Sequence, residues 1–186
     1  MQIRNTLQRY GAVAQLFHWV IVAAIITQFV LATQAANLGV GPAKIAVLAR
    51  HKSVGMTIFA LAVLRLLWRW MNPVPAMPRE MPQWQAVAGR VSHFLLYALI
   101  LITPLFGWLM SSARAFSVSW FGLFTLPDLI APDRAKYDFF HDTHIKLAFL
   151  LGIVAIVHAF AALKHHFIDR DDVLRRMLPV QPSDER

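Results

Sequence analysis

Polar and apolar positions along this chain do not alternate. They separate into four long apolar runs divided by short polar stretches. The first extends from about Val13 to Ala36, interrupted only by mild polar residues such as Gln15, His18, Thr27 and Gln28. The second covers Val54 to Trp70, with His51 and Lys52 at its mouth and Arg65 and Arg69 near its end. The third runs from His93 to Met110 and the fourth from Ile145 to Leu163. Each approaches the roughly 20 residues needed to cross about 30 Å of hydrocarbon. Lipid offers the backbone no hydrogen-bond partner, so a spanning segment must satisfy its own, and helices do so. The pattern predicts an all-α integral membrane four-helix bundle, up-down-up-down, as a single domain over residues 1–186. Its helices are expected at about 13–36, 51–71, 92–112 and 143–166.

Between the second and third runs, four prolines fall within Asn72–Pro82, which predicts an extended connector. Between the third and fourth, Ser111–Asp142 carries Trp120, Phe121, Phe124 and Pro127 and reads as a loop on the membrane interface, where aromatic rings are favoured. Pro104 with Gly107 predicts a kink in the third helix. Arg4, Arg9 and the small residues near Ala35 faintly imitate a cleavable leader. The apolar section is too long for one and opens with Phe17, His18 and Trp19, so a retained helix is expected.

Four crossings place both termini on one side. Lys and Arg number ten on the side of the termini and the proline connector, Arg79 and Arg186 among them, against seven on the other. That bias predicts cytoplasmic termini in a bacterial inner membrane.

Composition agrees. The chain is 58% hydrophobic and only 15% charged, with mean hydropathy +0.51, whereas soluble domains are about a quarter charged. The formal charge of +8 flanks the apolar runs, which fits a membrane surface and no nucleic acid. There is no cysteine, so disulfides, thiolate metal centres and covalent haem attachment are excluded.

The chemistry lies in the histidines. His144 and His158 are fourteen residues apart, so on a helix they are about 40° short of four full turns and about 21 Å apart along the axis. Ionisable groups at membrane depth are costly and usually functional. With the helices antiparallel, His18 and His158 share the cytoplasmic level, and His51 and His144 share the other. Two neutral imidazoles from facing helices at each level are what bis-histidine ligation of haem b requires, and such six-coordinate iron transfers electrons. Zinc or proton sites more often include carboxylates, and no apolar run contains Asp or Glu. Arg65, fourteen residues after His51, reaches the level of His18 and His158, where it can pair with a haem propionate or snorkel with Arg69. His93 opens the third helix at that level, a candidate for quinone binding, proton relay or a place at the haem edge. His141, one turn before His144, competes with it as the distal ligand. His165 and His166 read as interfacial anchors.

These residues resemble the bacterial cytochrome b561 family of small di-haem membrane cytochromes. The matching segments are Leu16-Phe17-His18-Trp19, Arg50-His51-Lys52-Ser53-Val54-Gly55, Leu64-Arg65-Leu66-Leu67-Trp68-Arg69, Val91-Ser92-His93-Phe94 and Val157-His158-Ala159-Phe160, continuing to Lys164-His165-His166-Phe167. The resemblance implies two haem b groups, held by His18 with His158 and by His51 with His144. It also implies electron exchange with ubiquinone, and some family members oxidise periplasmic superoxide. Members often carry an acidic residue directly after the histidine matching His144. Here Ile145 follows, and His141-Asp142 precedes. The alternative function is a cytochrome b anchor that links a periplasmic dehydrogenase or hydrogenase partner to the quinone pool.

Overall fold

A computed structural model describes residues 2–78 and 80–179; Arg79 and Arg186, counted above toward the charge bias, lie outside them. Four long helices dominate: α1 Ala12–Asn37, α2 Pro42–Trp70, α3 Gln83–Ala113 and α4 Arg134–Lys164. Each is long and apolar enough to cross a membrane. α1 packs on α2, α2 on α3 and α3 on α4, while Gly152 of α4 brings the backbone close to the Phe29 ring of α1. The bundle is therefore the all-α architecture that the apolar runs imply.

The helices extend beyond the apolar runs, and local chemistry explains where they begin. Pro42 occupies the first turn of α2, where its missing N–H costs nothing. The Asp133 carboxylate caps α4 by accepting from the Lys136 amide at 3.0 Å. Residues 134–142 are thus the polar opening turns of α4 and no part of a loop. Their charge hides them from a hydropathy argument. As a result His51 and His144 stand well inside their helices, not at the helix mouths.

The loop that remains forms a small hairpin, β1 Ser119–Trp120 with β2 Phe124–Thr125, folded onto α2. Ser53, 1% exposed, donates to the Ser119 carbonyl at 3.1 Å and accepts from the Phe121 amide at 2.9 Å. Trp120 donates its indole N–H to Thr57 at 3.1 Å. Lys52 reaches Ser111 Oγ at 2.9 Å, the Phe116 carbonyl at 2.6 Å and the Ser117 carbonyl at 3.2 Å.

At the opposite end three segments interlock. Arg9 donates to Leu178 O at 2.8 Å, Trp19 to Met177 O at 2.8 Å, and Gln15 to Arg176 O at 3.1 Å. Asn5 donates to Pro73 O at 3.0 Å, and Arg176 to Ala76 O. The N-terminal segment, the proline connector and the tail after α4 therefore close one end, called here the terminus end; the hairpin marks the loop end. After α4 the chain makes a π-helical turn, His165–Asp169, where His165 sits 2.6 Å from Asp171 and 3.2 Å from Asp169.

Between the ends lies an apolar core of Ile21, Ile58, Ala62, Leu99, Ile100 and Leu151. Leu151 is midway between His144 and His158, and Ile58 midway between His51 and Arg65. Most other large apolar side chains face outward, as they must in a solvent as apolar as themselves.

Candidate functional site: two histidine layers

Five histidines converge in two layers. At the loop end, His51 of α2 and His144 of α4 have ring centroids 6.2 Å apart and planes inclined by 76°. Gln28 of α1 donates to the His51 carbonyl at 2.9 Å, tying that turn of α2 to α1. His144 Nδ1 lies 2.9 Å from the Thr103 carbonyl of α3. A carbonyl only accepts, so Nδ1 carries the proton and Nε2 keeps its lone pair. His51 Nδ1 is buried without a partner.

At the terminus end, His18 of α1 and His158 of α4 are 6.5 Å apart, again inclined by 76°. His93 of α3 stands closer to His158, at 5.2 Å and 61°. Arg65 of α2 donates from Nη1 to His18 Nδ1 at 3.0 Å. A cleft beside this layer is lined by Asn5, Tyr10, Arg65, Trp68, His93 and Tyr97, with Arg65 and Arg69 both over the Tyr97 ring at 5.7 and 5.9 Å.

The separations decide what each pair can hold. Two imidazoles on opposite sides of one metal, each nitrogen about 2 Å from it and about 1.1 Å from its own ring centre, have centroids about 6 Å apart. His51–His144 and His18–His158 match that spacing. His93–His158, at 5.2 Å, is too short for it and suits a neighbour beside the pair. The donor set is imidazole alone, which suits haem iron. The two layers differ in tautomer: His144 presents the Nε2 lone pair, whereas an arginine donating to His18 Nδ1 leaves the proton of that ring on Nε2.

A family model described as prokaryotic cytochrome b561 matches residues 9–180. The chain belongs to the prokaryotic cytochrome b561 family. It is 36% identical to cytochrome b561 homolog 2 of Escherichia coli strain K12 over 99% of this chain and 98% of that protein. It is 30% identical to cytochrome b561 homolog 1 of the same organism over 69% of this chain and 73% of that one. It is also 32% identical to a probable superoxide oxidase CybB of Yersinia pestis, over 69% of this chain and 73% of that protein. This family member is a multi-pass protein of the bacterial inner membrane that transfers electrons, and its family implies haem b.

Of the residues singled out in the sequence, the structure brings His18, Arg65, His93 and His158 into one layer and His51 with His144 into the other. His141 does not join either layer: half-buried one turn before His144, it lies near the Tyr137 ring at 5.6 Å and pairs with Asp142 at 3.2 Å. Sequence reasoning missed Thr103 and Gln28, which act through a main-chain carbonyl or on one and leave no composition signal. Gly107 was visible only as half of a kink. A Cβ there would lie 3.1 Å from His144 Cε1 and 3.2 Å from Nδ1, so its missing side chain makes the notch in which the imidazole rests.

Proposed function

We propose that this chain holds two haem b groups, one between His51 and His144 and one between His18 and His158, and exchanges electrons with ubiquinone. The carrying observation is the pair of closely similar histidine separations, 6.2 and 6.5 Å, both built on α4 and divided by an apolar core. Bound haem would supply one-electron relay at each layer, and imidazole on both faces would leave no position for oxygen. Arg65 would exchange His18 Nδ1 for a haem carboxylate, a stronger charge-assisted partner, and free that ring to take the tautomer that His144 already has.

His93, with Tyr97 and Tyr10, lines the cleft beside the terminus-end layer. Its imidazole fits a quinone carbonyl, to which it would donate a hydrogen bond and then a proton. The named activity of the Yersinia relative supports superoxide as the donor at the loop end. Two superoxide anions would each lose one electron and become dioxygen, while one quinone gains two electrons and two protons. The loop-end cations suited to drawing a small anion inward are fewer than composition suggests. Lys52 is held by the loop, Arg134 pairs with Asp138 and Lys136 with Asp133, both at 3.7 Å. Arg50 and Lys146 stay exposed. The termini would face the cytoplasm.

Haem quantification with a reduced-minus-oxidised spectrum tests this reading. Two b-type haems per chain, with no spectral change under carbon monoxide, are expected, and none would overturn it. Superoxide supplied to quinone-loaded protein should reduce haem without any partner protein. If reduction needs a partner dehydrogenase or hydrogenase, the chain is an anchor for that enzyme.

A further inference from the structure

The two layers place opposite polarity against their imidazoles. At the loop end the Thr103 carbonyl faces His144 Nδ1, and the ring can reach it only because Gly107 has no side chain. At the terminus end the Arg65 guanidinium faces His18 Nδ1 and Arg69 stands over the same tyrosine ring. No carboxylate lines the cleft there.

We infer that Gly107 and the Thr103 carbonyl position His144, and that with Arg65 they make the loop-end site the harder of the two to reduce. This rests on the two-haem reading above. A ring whose Nδ1–H is bonded to a carbonyl is a more basic ligand through Nε2 and favours the oxidised metal. A guanidinium held near the other site favours the form with one more electron, and its half-buried place lessens the screening of that attraction. Both haems bring the same carboxylates, so the inequality comes from the protein. Reductive titration fills the terminus-end site first.

The experiment is a potentiometric titration of the purified, haem-loaded full chain, followed by absorbance and low-spin EPR. His158→Ala should remove the higher of two waves and so assign it to the terminus end. Gly107→Ala should move the lower wave upward and alter one EPR envelope while sparing the other. Arg65→Gln should lower only the higher wave. Gly152→Ala is the packing control: its methyl would meet the Phe29 ring at 3.1 Å, between the two layers along α4 and against no histidine, and neither wave should move. If Gly107→Ala loses the loop-end haem alone, the positioning role stands, and His158→Ala with Arg65→Gln still decide the order. Loss of the lower wave in His158→Ala, or equal effects of Gly107→Ala and Gly152→Ala, would overturn the inference. Fewer than two haems in the unaltered protein would instead defeat the two-haem reading.

Discussion

Arg65 and His18 are forty-seven residues apart in sequence, yet the guanidinium Nη1 lies 3.0 Å from the imidazole Nδ1. A half-buried cation in a membrane bundle is costly unless it is partnered, and a neutral imidazole is a modest partner for it. The contact keeps the charge beside His18, where a haem carboxylate would complete its pairing. Arg65→Met should therefore weaken retention of the terminus-end haem by about 10–100-fold, the usual effect of removing an outer-shell partner. The rate of haem transfer to an acceptor globin measures it. Arg65→Lys should recover only part, since an ammonium lacks the bidentate fork.

Lys52 should prove structural. Its ammonium contacts Ser111 Oγ and the Phe116 and Ser117 carbonyls and lies 3.6 Å from the Phe116 ring centroid. Lys52→Met keeps the apolar stem and abandons three oxygens, which should cost about 2–3 kcal/mol. A lower thermal midpoint in detergent, with faster proteolysis between residues 114 and 130, is the expected result. The terminus-end haem should be untouched.

The Asp133 cap gives a defined pH dependence. The Lys136 backbone N–H bonded to its carboxylate holds its pKa below the ordinary 3.8. The folded group thus stays charged to lower pH than the unfolded one. Its contribution is fully present above the unfolded value and fades as pH falls through the folded value. Hydrogen–deuterium exchange over residues 133–140, expressed relative to the intrinsic rate at each pH, should be flat from pH 5 to 8 and rise only in strong acid. Asp133→Asn, which caps without ionising, should remove that rise.

Sidedness can be read directly, because the chain has no cysteine. Leu123→Cys sits at the exposed hairpin tip and Leu7→Cys in the terminus-end cap, 74% and 70% exposed. In spheroplasts a membrane-impermeant maleimide should label the first and spare the second. The reverse pattern would invert the bundle and move the superoxide-facing side with it.

Much of the site was legible before any coordinates. The fourteen-residue intervals from His144 to His158 and from His51 to Arg65 are set by helical geometry alone, and they fixed which residues share a depth. Helix ends were less legible. Residues 134–142 are helical because Asp133 caps them, though their charges carry no membrane signal. The hairpin was illegible too, since it exists through Ser53, Thr57 and Lys52 of α2 and not through the strand propensity of its own four residues.

The sequence by itself determined the number of spans, the two levels of histidine and the absence of thiol chemistry, because hydropathy and helical pitch are local properties. Tertiary structure decided what local properties cannot contain. It turned His144 toward His51 and left His141 out of both layers. It set His93 behind His158, and it gave one imidazole a carbonyl and another a guanidinium. Those choices depend on which backbone lies across the bundle: a glycine without a side chain on α3, and an arginine of α2 facing a ring of the neighbouring helix α1.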